Sequence, residues 1–195
     1  MKTKSFKEGY SKKARKKPIT NRKYIDYKWL VTVTVLAFII SFIFSFISEL
    51  IMPNANSIIA TLIILAFIGI GIIFDMIGIS VTVADIKTFN SMATKRVRGA
   101  NLAVNFIKNA SRVSSFCNDV IGDICGIISG SAGVALASII SSTFNCSLFL
   151  TTLLITATIA ALTIGGKALG KSTAMNKSTF ILFKFSQMIS FVYRK

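Results

Sequence analysis

The chain has no histidine, two prolines, three cysteines, and only seven acidic residues against 23 Lys and Arg, a formal net charge of +16. Each shortage excludes something. Without histidine, a zinc or haem centre loses a principal ligand. Cys117 and Cys125 stand eight apart, a spacing that fits neither a zinc knuckle nor a redox pair. With Cys146 they read as small packing residues. No Ser/His/Asp set or Cys/His pair can be assembled, so transport or binding is expected, and not an enzyme. Charge is scarce overall, with 15% of residues charged and 53% hydrophobic. A soluble domain of this length would carry more charge. So basic a chain first suggests nucleic acid. Here, however, the cations cluster beside hydrophobic runs, as the positive-inside rule expects, and no nucleic-acid partner is predicted.

Residues 1–28 form a polar arm rich in Lys and Arg, without apolar periodicity, and are expected to be disordered in isolation. Next to a membrane such an arm would adhere to anionic lipid headgroups at about 1 kcal/mol per charge. Residues 29–195 read as one transmembrane domain. Its spans are expected at about 29–52, 57–85, 113–142 and 148–166, each long and apolar enough for a bilayer. Amphipathic segments are expected at about 87–112, as one or two helices on the inner surface, and at about 174–193. The fold class predicted is all-α: an integral membrane bundle of four transmembrane helices with interfacial helices. The turns near 53–56 and 143–147 carry no cation, while the arm, the 87–112 segment and the region after Gly166 carry nearly all. That asymmetry predicts a multi-pass protein of the cell membrane with both termini cytoplasmic.

The polar residues within these spans are the functional signal, because hydrocarbon offers them no water. Thr82 and Asp85 stand near the end of the second span, and Asn118, Asp119 and Asp123 near the start of the third. Asp75 is a charge in the inner half of the second span. Oxygen donors of this kind suit a hard cation. Phe38, Phe42 and Phe46 recur every fourth residue and read as lipid contact or helix packing. Gly122, Gly126 and Gly130 form a doubled G-x-x-x-G, which permits close helix approach within the chain or between subunits.

Two motifs match by letters alone. Residues 165–172, Gly-Gly-Lys-Ala-Leu-Gly-Lys-Ser, fit a phosphate loop, whose mechanism needs a strand, a glycine loop and a second acid for magnesium. The preceding run is a membrane helix and no acid follows Asp123, so the glycines are read as the end of the fourth span. Asn145-Cys146-Ser147 fits a glycosylation acceptor, but it lies too close to the bilayer for modification to be expected.

From Gly78 to Lys171 the order of features resembles the transmembrane domain of the CNNM/CorC magnesium transporter family, also called DUF21. The resemblance is carried by Thr82 and Ala84-Asp85 and by residues 90–100 (Asn-Ser-Met-Ala-Thr-Lys-Arg-Val-Arg-Gly-Ala). It continues through Ala110-Ser111-Arg112-Val113, Cys117-Asn118 with Asp123, and residues 166–171. It implies a magnesium site built from Thr82, Asn118 and Asp123, with Ser80 and Asp119 as neighbours. It also implies sodium-coupled transport and a homodimer, with no cofactor beyond the bound or carried Mg2+. Lys167 stands where that family has an acid, Gly170 where it has proline, and Gly78 where a hydroxyl is expected. No pair of CBS domains follows in this sequence, and an additional span precedes the family's first helix. The rival expectation is a scaffold or accessory subunit that transports nothing. Packing of Asp123 or Asp119 against Arg112 or Lys167 would favour it, whereas a solvated pocket framed by Thr82, Asn118 and Asp123 would favour the ion site.

Overall fold

A computed structural model describes residues 27–51 and 56–192. The arm predicted at 1–28 and the turn at 53–56 therefore lie almost wholly outside the described residues. Among those described, eight α-helices and one π-helical segment form an all-helical bundle. Four stretches are long and apolar enough to cross a bilayer: α1 (Tyr27–Ile51), α2 (Ser57–Val83), the continuous run Ala110–Phe144, and α7 (Leu148–Asn176). The protein is a helical membrane bundle.

The spans match the sequence reading with three differences. The third run is not uniform: α5 (Ala110–Ser115) passes into the π segment (Phe116–Gly122) before α6 (Asp123–Phe144) resumes α geometry. It begins at Ala110, so residues read as the end of the surface segment are already helical. The second span stops at Val83, because Asp85 caps the next helix. Its carboxylate accepts from the Lys87 backbone N–H at 3.0 Å and from the Thr88 hydroxyl at 3.4 Å. The fourth span does not end at its glycines. α7 runs through Gly165, Gly166 and Gly170 to Asn176; Gly166 and Gly170 pack against α2, whereas a Cβ on Gly165 would meet nothing within 4 Å. A Cβ on Gly170 would stand 3.0 Å from Met76 Cγ and 3.2 Å from Ile72 Cγ2, so α7 lies close on α2 there. The phosphate-loop letters are thus continuous helix.

The segment between the second and third spans forms two helices, α3 (Ile86–Thr94) and α4 (Ala100–Lys108). They are joined through Arg96 (φ 54°) and Gly99 (φ 87°). With α8 (Ser178–Val192) they close one end of the bundle. Their shared core contains Phe89, Ala103 and Leu182, all fully buried, packed on Ile77 and Val81 of α2 and on Cys117. α8 is therefore part of a packed cap as well as an amphipathic surface helix. At the opposite end α6 stops at Asn145 (φ 52°), where the Ser141 hydroxyl donates to the Cys146 carbonyl at 2.8 Å.

Within the membrane layer α2 is central, packed against α6 and α7. Ala60, Ile64 and Ile68 of α2 meet Ala132, Leu136 and Ile159 in an apolar cluster toward the turn end. α1 lies at the periphery, touching Val120, Ile124 and Ile128 through Val33, Ala37, Ile40 and Phe44.

Candidate functional site

Glycines on one face of α2 set a close approach within the bundle. Gly71, Asp75 and Gly78 follow heptad spacing, so they share one stripe. A Cβ on Gly71 would sit 3.2 Å from Cys125 Cβ and 3.5 Å from the Gly122 carbonyl oxygen. One on Gly78 would overlap the Asn118 side-chain amide. The stripe therefore presses against the π segment and the first turn of α6, with Asn118 at one contact and Gly122 at the other. Asp75 falls between these contacts and is 6% exposed.

The π segment shapes this seam. An i→i+5 turn shifts the helical register locally and re-aims side chains and carbonyls, and such turns recur at functional sites. The Asn118 amide nitrogen donates to the Ser114 hydroxyl at 3.4 Å, which turns the amide oxygen away from that partner. Asn118 Oδ1 and Asp75 Oδ2 are both buried without a hydrogen-bond partner among the described residues. Each is an acceptor with no donor, on facing elements of one seam. Ser80 Oγ is the third such atom, fully buried on α2. It stands about 200° around the helix from Gly78 at about 100° per residue, so it belongs to a different face.

The depth of the seam follows from helix rise. At about 1.5 Å per residue, Asp75 lies about 27 Å along α2 from Ser57, and Lys167 about 28 Å along α7 from Leu148. Asp123 is about 31 Å from Phe144 on the same count. All three reach the same depth, near the edge of a hydrocarbon layer about 30 Å thick, on the side of the cap.

The five residues expected to hold a cation are not drawn into one cage by the contacts seen. Asn118 sits in the seam with its oxygen unpaired. Asp123 pairs with Lys167 (Nζ–Oδ1 3.6 Å), and its side chain is 65% exposed. Asp119 is exposed on the π segment. Thr82 is exposed one turn beyond Gly78 and donates its hydroxyl to the Ile79 carbonyl at 2.7 Å, within its own helix. Ser80 is buried elsewhere. Among the described residues no group of three or more His, Cys, Asp or Glu gathers as a metal cluster. Lys167, at an acidic position of the resembled family, fills the space beside Gly122, its Nζ 3.7 Å from where a Cβ would be.

Asp75 reads from the sequence as a charge in the inner half of the second span and is not among the expected cation ligands. The usable signal was its place between two glycines at heptad spacing, which marks a face pressed against another helix. Cys117 and Cys125 are buried free thiols and Cys146 an exposed one, so the first two pack in the core as expected. Comparison with protein-family models, curated proteins and solved structures gives no match.

Proposed function

We propose that this membrane protein binds a small hard cation at the seam between α2 and the π segment and carries it across the bilayer. The observation supporting this reading is the pair of buried, unpartnered oxygens, Asp75 Oδ2 and Asn118 Oδ1, on facing elements. A buried acceptor without a donor costs about 1–3 kcal/mol, more if charged, and a cation satisfies two acceptors together while also balancing a carboxylate's charge. The resemblance to magnesium transporters makes magnesium, with sodium as coupling ion, the first transport pair to examine.

The seam lies at the cap side of the hydrocarbon layer. Between it and the turn end stands the apolar cluster of Ile64, Ile68, Leu136 and Ile159. In this reading the site is loaded from the cap side, and transport requires that cluster to part while the seam closes. In this reading both termini are cytoplasmic, the basic arm rests on anionic headgroups, and two copies associate in the membrane.

The Lys167–Asp123 ion pair is the specific observation on the side of the scaffold reading, because it neutralises an acid expected to serve the ion. The two readings separate in liposomes. Purified protein with trapped magnesium and sodium indicators, with and without a sodium gradient, is expected to show flux that Asn118→Ala abolishes. A folded protein without flux of either ion would leave the scaffold.

A further inference from the structure

The chemistry of the seam fixes the charge of its occupant more narrowly than the family resemblance does. We infer that Asp75 and Asn118 hold a single monovalent cation of the sodium class, with Asp75 as its only formal counter-charge. This assignment rests on the seam being the ion site proposed above, and adds both the anionic ligand and the ion's charge.

Asp123, the acid on α6, is exposed and paired with Lys167, a neutral pair whose lysine side chain is 23% exposed and ends beside Gly122. Asp75 is nine-tenths buried and its Oδ2 has no partner. One turn along the same stripe, against Gly78, stands the neutral Asn118 amide oxygen, also without a donor. The backbone oxygen of Gly122 faces α2 across the Gly71 contact, 3.5 Å from where a Cβ on Gly71 would stand. Among the described residues the seam therefore offers one buried negative charge and neutral oxygens, with the Lys167 ammonium, paired to Asp123, at its rim beside Gly122. Magnesium demands near-ideal octahedral geometry and sheds water reluctantly, so a single carboxylate compensates it poorly. One unit of positive charge balances Asp75 without leaving a net charge in a region of low dielectric. A proton on Asp75, donated to Asn118 Oδ1, would balance the charge and satisfy the same two oxygens, and the pH arm of the test below separates it from sodium.

Equilibrium binding to the whole protein in lipid nanodiscs tests this. Thermal unfolding is followed in sodium, choline and magnesium chlorides at matched ionic strength and fixed pH, together with the line width of the sodium-23 resonance. Sodium is expected to raise the unfolding temperature and broaden its own resonance, whereas choline does neither. Asp75→Asn, which keeps shape and removes charge, is expected to abolish both effects. Asn118→Ala should weaken apparent sodium affinity by about tenfold or more. If Asp75→Asn does not fold, the sodium response of Asn118→Ala decides alone.

Three results would overturn the assignment. They are stabilisation by magnesium but not sodium, a sodium response intact in Asp75→Asn, and stabilisation that follows pH at constant sodium. Failure of this site and failure of transport remain distinct. Sodium binding without flux keeps the site and removes the transporter. Flux of either ion that survives in Asp75→Asn keeps the transporter and removes the site.

Discussion

Two neighbouring spans, α1 and α2, are both long and apolar enough to cross a membrane, yet they occupy opposite situations. Of α1 only Ser48 is buried, and Phe38, Phe42 and Phe46 stack on one another along an exposed face with ring centroids 6.5 Å apart. α2 buries Ala60, Gly71, Asp75, Gly78 and Ser80 among others and contacts α6, α7 and the cap helix α8. Hydropathy selects what enters the membrane and says little about what reaches the middle of the bundle. Within lipid, apolar side chains gain little by burial against one another, so small residues that permit close backbone approach decide which helix becomes central. Polar residues then follow the small ones inward, because only there can another helix, or an ion, meet their needs.

Substitutions on the two helices should therefore have very different effects. Gly78→Leu on α2 should be the most damaging, because the new side chain occupies the volume of the Asn118 amide. A cost of about 3 kcal/mol or loss of a monodisperse species is expected, read by size-exclusion chromatography and thermal unfolding in detergent. Separating the pair on the rim of the seam, by Lys167→Met with Asp123→Asn, should cost at most about 1 kcal/mol in unfolding, since the carboxylate is mostly exposed. A much larger loss would show that this pair organises the bundle and would favour the scaffold. Phe42→Leu on α1 should move stability by no more than about 0.5 kcal/mol, because Phe42 is 64% exposed and its ring faces lipid. A large effect there would mean that α1 is covered by another helix, and crosslinking through Phe42→Cys would identify which.

The same contrast explains what could be read from the sequence. The four spans, the polar segment between the second and third, and the amphipathic α8 were legible, because each is written in local hydropathy and charge. Asn118 was legible as an expensive intramembrane amide. The π segment was not, since Phe116–Gly122 carries no local composition that distinguishes it from an α-helix; packing against Gly78 accompanies that geometry. The reach of α7 past Gly165 and Gly166 was misread for a related reason. Glycine marks either a helix end or a close contact, and only the position of Ile72 and Met76 on the neighbouring helix shows which applies. Gly126 and Gly130 show the opposite outcome. Read as part of a tight-contact series, they have no neighbour within 4 Å, and within this chain the close approaches fall instead at Gly122 and Gly133. Thr82 and Ser80 were selected by residue type, but helix rotation alone assigns them to different faces.

The cap bears on the order of assembly. α8 supplies Leu182 and Ser186, both fully buried, and its backbone at Gln187 lies 3.0 Å from the position of a Cβ on Gly99. It follows all four spans in the chain, so during synthesis the bundle can be threaded into the bilayer before its lid exists. Until α8 emerges, Phe89, Ala103 and Val104 pack on α2 and Cys117 but lack the cover that Leu182 supplies. Maturation would then have a closing event as well as an insertion event. A truncated nascent chain lacking α8 is the species that membrane quality control would meet first.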